Sequence, residues 1–159
     1  MIRSALFDPT AAYRYFLDRN WARLYTPGPE RVTWIMLNPS TADAFKEDPT
    51  IKRCMSFSTL WGYDSLAVVN LYAYRATNPK RLLEISDPVG PDNLKHIKQA
   101  IEGSRLVIAA WGAFKLGVPE SLRSTLQDSS LFCLGTTKDG HPKHPLYVKA
   151  ATQRERFVL

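Results

Sequence analysis

The apolar run Trp34-Ile35-Met36-Leu37 stops abruptly at Asn38-Pro39-Ser40-Thr41. That junction constrains the fold more than any other part of the chain. A short, continuously apolar run bounded by turn formers reads as a buried strand. Pro39 cannot donate to a sheet ladder, so pairing ends near Asn38. A polar loop follows, and Asp48-Pro49 then signals the start of a helix. A strand that leaves through a polar loop into a helix is the first half of a βαβ unit. In such sheets, chemistry gathers at the carboxyl ends of the strands.

The rest of the chain repeats the pattern. Residues 2–7 read as a short edge strand and Asp8-Pro9-Thr10 as a turn. The segment from Tyr13 to Arg19 alternates imperfectly and reads as an antiparallel strand with one solvated face. Two readings stand for its charges. Arg14, Arg19 and Arg23 with Tyr13, Tyr15 and Trp21 form a stacking and phosphate surface, or they are a solvated edge that discourages further pairing. Pro27-Gly28-Pro29 is a turn, and residues 31–37 are the first parallel strand. Asp48 caps a helix whose apolar face is Ile51, Cys54, Met55, Ser58 and Trp61, and Gly62 stops it.

Ser65 to Val69 is the second parallel strand, ending at Asn70. Residues 72–79 are a loop, and Pro79 to Ile85 are one or two helical turns. A helix opened by Pro91 carries Leu94, Ile97 and Ile101 and closes at Gly103. Arg105 to Ala110 is the third strand, Val118, Leu122 and Leu126 mark another helix, and Ser130 to Leu134 is the fourth strand. The last residues read as a tail or a short helix. Alternating strands and helices with no linker or repeat predict one α/β domain over residues 1–159. The expected architecture is a three-layer sandwich, with a mostly parallel four-stranded central sheet plus N-terminal antiparallel edge strands.

Several function classes are excluded by what the sequence lacks. No apolar run approaches bilayer length and Met1-Ile2-Arg3-Ser4 leads into no signal-peptide core, so no membrane partner is expected. Cys54 and Cys133 sit in apolar patterns and read as buried thiols, which with the missing leader suggests a cytoplasmic protein. No phosphate-binding P-loop, G-x-G-x-x-G or G-x-S-x-G motif occurs, so no cofactor is indicated and Ser40 is not a nucleophile. His141 and His144 lack the partners of a zinc site. Asp43, Glu47 and Asp48 form an acidic group, but Asp48 already serves as a cap, and no metal is expected. A formal net charge of +6 leans toward a polyanionic partner.

Four strand exits carry polar signatures: Asn38-Pro39-Ser40-Thr41, Asn70, Trp111-Gly112, and His141-Pro142-Lys143-His144. In a parallel sheet all four meet at one rim. An Asn amide orients a water or reads the edge of a base. A His stabilises a developing oxyanion or moves a proton. Trp111, Tyr72 and Tyr74 offer planar faces for stacking. Structural roles stand beside these: Asn38 holding a turn, Asn70 tying a loop to the sheet, Trp111 packing in the core. The candidate catalytic residues are Asn38, His141 and His144. The candidate binding residues are Pro39, Ser40, Thr41, Asp43, Asn70, Tyr72, Trp111 and Lys143.

Taken together, Met36-Leu37-Asn38-Pro39-Ser40-Thr41-Ala42, Asp48-Pro49-Thr50-Ile51, Val68-Val69-Asn70-Leu71, Ala110-Trp111-Gly112 and the block from Thr137 to Tyr147 resemble the domain of unknown function 1643 family. That family implies no activity. The motif order is also distantly similar to the uracil-DNA glycosylase superfamily. There, an Asn in a Gly-Ile-Asn-Pro-Gly motif positions the attacking water, and a late His-Pro-Ser supplies a His near the base carbonyl. The resemblance matches Asn38 to the first and His141 or His144 to the second. Ser40 replaces the glycine, Lys143 stands where serine would be, and only Phe45 approaches the stacking position. The resemblance implies a nucleobase- or nucleic-acid-directed protein, in its most concrete form one that hydrolyses the N-glycosidic bond of a flipped base. Two alternatives stand: a non-catalytic module for DNA, RNA or a nucleotide, and an enzyme acting on a small free nucleoside or metabolite.

Overall fold

The computed structural model describes residues 1–23 and 31–159. The turn expected at Pro27-Gly28-Pro29 lies outside them. In chain order the elements are β1 (Ile2–Phe7), β2 (Arg14–Asn20), β3 (Arg31–Met36), α1 (Pro49–Leu60), β4 (Ser65–Asn70), a 3-10 segment (Pro79–Glu84), α2 (Asn93–Glu102), β5 (Leu106–Ala109), α3 (Glu120–Gln127), β6 (Leu131–Cys133), a second 3-10 turn (Pro145–Tyr147) and β7 (Glu155–Phe157).

Among the described residues the sheet has seven strands in the order β1-β2-β4-β3-β5-β6-β7. The parallel strands are β4, β3, β5 and β6, with Trp34 level with Val68 on one side and Ile108 on the other. The pairings β1–β2, β2–β4 and β6–β7 are antiparallel. This corrects the expected mostly parallel four-stranded sheet. The sheet is mixed, because both of its ends are extended by antiparallel strands. The expected C-terminal tail or short helix is in fact β7. Its three residues pair with β6, and Phe157 packs into the core there. A second correction concerns β2. It lies inside the sheet between β1 and β4, and Arg14 and Arg19 are buried. The solvated edge expected here is instead β1.

Strand alternation sends neighbouring residues to opposite faces. Val32, Trp34 and Met36 of β3 pack with Ile51, Cys54 and Phe57 of α1. Ile35, between them, packs with Ile97 of α2 and with Leu122 and Leu126 of α3. Helix α1 forms as its sequence directs. The Asp48 side chain accepts the Ile51 amide at 2.9 Å, Pro49 is the first helical residue, and Gly62 takes a φ of +85° just beyond its end. Trp34 stacks on Trp61 with centroids 5.7 Å apart, and Phe57 fills the corner between them. Cys54 and Cys133 are free, buried thiols in the two separate core clusters.

The connection order creates a crevice. From β3 the chain moves through α1 to β4 on one side, then crosses back through α2 to β5 on the other. The loops leaving β3 and β5 therefore diverge over opposite faces. This is a topological switch point, where open α/β sheets place their ligands.

Candidate binding cleft

A cleft of about 810 Å³ opens at that switch point. It falls within the size range of small-molecule sites. Each strand end contributes in spatial order: Arg14 from β2, Asn70 from β4, Asn38 from the β3 exit, Trp111 from the β5 exit, and Lys143 with His144 after β6. Ser40 and Thr41 also line it. The structure thus brings together residues from all four polar strand exits.

Asn38 is tied to backbone on one side only. Its Nδ2 donates to the carbonyls of Ala76, at 2.8 Å, and Pro39, at 3.1 Å. Among the described residues nothing donates to its Oδ1, so the acceptor end is the one left for a ligand or water. Pro39 is buried and its carbonyl also takes the Ala76 amide, so it shapes the lip and does not line the cleft.

Asn70 differs. It is 1% exposed, and neither its Nδ2 nor its Oδ1 has a hydrogen-bond partner. Its backbone is held firmly: Asn93, the first residue of α2, donates through Nδ2 to the carbonyls of Asn70 and Leu71 at 2.8 and 3.2 Å. A buried donor or acceptor left unpaired costs about 1–3 kcal/mol. Asn70 therefore offers a donor and an acceptor side by side from a fixed point on the cleft wall.

A hairpin after β6 delivers the far wall. Thr136 bridges Pro142, the Thr137 amide donates to the His141 carbonyl, and the Gly112 amide donates to the Pro142 carbonyl at 2.8 Å. Gly112 takes a φ of +68°, a left-handed conformation that favours glycine. Lys143 and His144 consequently return to the cleft, while His141 stays beside the hairpin turn and does not line it. His144 Nδ1 accepts the Leu146 amide at 3.1 Å, which puts the proton of the neutral ring on Nε2. Burial holds its pKa below the ordinary value, and the Asp48 carboxylate opposes that shift.

Two other candidates lie elsewhere. The Tyr72 hydroxyl donates to the Gly117 carbonyl at 2.7 Å and its ring meets Phe114 edge-on, so it packs behind the wall. The Asp43 carboxylate accepts the Phe45 and Lys46 amides. It lines an adjoining cleft of about 450 Å³ that shares Ser40 and Thr41 and carries Lys46 and Arg75. Trp111 lines the main cleft but is mostly buried, its ring edge-on to Phe157. Among the described residues no group of three or more His, Cys, Asp or Glu is placed to hold a cation.

Two charged cleft residues stand outside the expected site, although the sequence offers Arg14 for a phosphate surface and Asp48 as a helix cap. Asp48 lines the cleft as well as capping α1, and Arg14 does so from 2% exposure. The Arg14 signal was present in its place on β2, but only the fold of residues 39–48 over that strand buries it. The Ala42 carbonyl accepts from Arg14 at 2.8 Å, and the Asp43 carbonyl accepts from Arg19.

No curated protein and no solved structure matches the chain. The sequence model of the family described as protein of unknown function (DUF1643) matches residues 14–146, from the buried arginine of β2 to the far wall of the cleft. The chain belongs to that family.

Proposed function

We propose that the cleft binds a nucleobase or a ligand with a nucleobase-like edge, and that Asn70 reads it. The observation that carries this reading is the buried Asn70 amide with both polar atoms unpaired. A side-chain amide matches a heterocycle edge that presents one acceptor and one donor. The motif order that resembles the uracil-DNA glycosylase superfamily points the same way.

In its catalytic form the protein hydrolyses an N-glycosidic bond. Asn38 Oδ1 accepts a hydrogen bond from the attacking water and orients it. The water oxygen bonds to the sugar C1′ as the C1′–N bond breaks, the base leaves with the electron pair, and the proton the water loses passes through solvent to the base, giving a C1′ hydroxyl and the neutral base. The His144 Nε2–H donates to the departing base anion. Helices on both sheet faces then make the chain a three-layer sandwich with its substrate at the switch point. DNA, RNA or a nucleotide is the partner, in the cytoplasm.

The test is base release from oligonucleotides carrying uracil, hypoxanthine and mismatches, alongside a working control glycosylase. Release by the wild type, lowered at least ~100-fold by Asn38→Ala, supports hydrolysis. No release from any substrate removes the hydrolytic form.

A second reading has its own support. The Asn38 amide nitrogen is committed to two backbone carbonyls, as in a residue that only holds a turn. The protein is then a binding module. Its nucleic-acid affinity survives Asn38→Ala and falls steeply with salt, through phosphate contacts such as Lys46 and Arg75 provide in the adjoining cleft.

A further inference from the structure

Two arginines of β2 reach under residues 39–48, and they are not equivalent. Arg19, with no exposed surface, has a carboxylate: its Nε faces Glu47 Oε1 at 3.4 Å. Arg14 has none. Its Nη1 donates to the Ala42 carbonyl, its Nε is buried without a partner, and among the described residues no acidic side chain lies within ion-pair distance. Asp48 is the strongest nearby negative influence, and one of its oxygens is taken by the Ile51 amide. Burial lowers the Arg14 pKa to about 10, so the guanidinium stays charged at neutral pH, offset only at a distance by Asp48 and Asp43 and with no direct ion pair among the described residues.

The surroundings say where a counter-charge goes. Arg14 lines the main cleft. It stands on the strand next to β4, and its amide donates to the Ala73 carbonyl at 3.0 Å, just past Asn70 in the chain. The other cation of the cleft, Lys143, follows β6. That strand is four positions from β2 in the sheet, or roughly 19 Å at about 4.8 Å per strand. One small anion cannot bridge the two. The Arg14 end therefore has its own unmet charge, beside the unmet amide of Asn70.

We infer that the ligand of this cleft presents an oxyanion to Arg14 while Asn70 holds its donor–acceptor edge. The class is an anionic heterocycle, its charge carried as a ring carboxylate or on an attached phosphate. A guanidinium fork suits either group. The heterocycle half of this assignment rests on the reading of Asn70 proposed above; the oxyanion half rests on Arg14 alone.

The experiment is a calorimetric titration of the wild type, Arg14→Gln, Arg14→Lys and Asn70→Leu with uracil, orotate, uridine 5′-monophosphate and benzoate. Orotate or uridine 5′-monophosphate should bind the wild type roughly tenfold or more tighter than uracil. That advantage should disappear in Arg14→Gln and return in part in Arg14→Lys. Which of the two carries it distinguishes a ring carboxylate from a phosphate. Benzoate binding that depends on Arg14, with no uracil binding and no effect of Asn70→Leu, keeps the oxyanion site and removes the nucleobase reading. Uracil binding with no anion advantage, or anion binding unchanged in Arg14→Gln, overturns the inference and leaves the nucleobase reading standing. No binding by any probe removes both. Because Arg14 also holds the Ala42 carbonyl, the Nε–H resonance of Arg14 is followed by NMR in the wild type. A shift on anion addition, absent with uracil, is expected, and an unmoved resonance overturns the inference even where the variants do not fold.

Discussion

The interior of the sheet and its carboxyl rim treat buried polar groups differently. In the interior several are paired, although the Asn93 Oδ1 and Arg19 Nε are buried without a hydrogen bond. The Trp34 indole donates to the Ser58 hydroxyl at 3.0 Å, which donates on to the Cys54 carbonyl at 2.8 Å, and the Thr33 hydroxyl donates to the Ala100 carbonyl. At the rim, among the described residues, the Asn70 amide has no hydrogen-bond partner and the Arg14 Nε none either. The fold shows that it can satisfy such groups where only stability is at stake. Asn70 and Arg14 differ from Asn93 and Arg75, which also carry unpaired buried atoms, in lining the main cleft, where the proposed ligand would complete them.

The largest test of that contrast lies in the interior. Trp34→Ala removes the ring stacked on Trp61 and the indole donor to Ser58, and should cost about 3–5 kcal/mol, read from the denaturant midpoint. A loss below about 1 kcal/mol would mean the interior is no better built than the rim. Next comes Asn70→Leu, which fills nearly the same space without polar atoms. It should stabilise the protein by about 1–2 kcal/mol while abolishing nucleobase binding. A destabilised Asn70→Leu would show that the amide serves the fold and would erase the distinction.

The smallest expected effect is the pH dependence of the far wall. Burial lowers the His144 pKa in the folded protein from its ordinary 6.5. The unfolded chain therefore takes up that proton more readily. The contribution of neutral His144 is complete above pH 6.5 and is lost as pH falls through the lower folded value. His96, also lowered by burial, acts in the same direction. His144→Asn, which keeps an acceptor for the Leu146 amide, should shallow the acid-side decline in melting temperature without removing it. An unchanged slope would show that His144 is solvated.

Much of this was legible in the residues themselves. Asp48-Pro49 and Gly62 bounded α1, and the end of the second parallel strand put Asn70 at the rim. What local pattern could not carry was burial set by distant chain. Arg14 and Arg19 sit in an alternating segment that looks identical whether it faces water or a loop 28 and 24 residues away. His141 and His144 were equivalent in sequence, and only the closure of Thr136 on Pro142 separates them. A three-residue strand such as β7 is too short to show a period.

The hairpin after β6 has a consequence for how the cleft can vary. Its tip, Lys138 to Gly140, is exposed and touches no wall of the cleft, whereas its closing end is bolted to Gly112. Residues added at the tip lengthen a free arm and leave Lys143 and His144 in place. Residues added after Pro142 would slide both side chains along the rim. One loop thus contains a segment open to drift and a segment fixed in register, with the backbone bonds around Pro142 as the boundary between them.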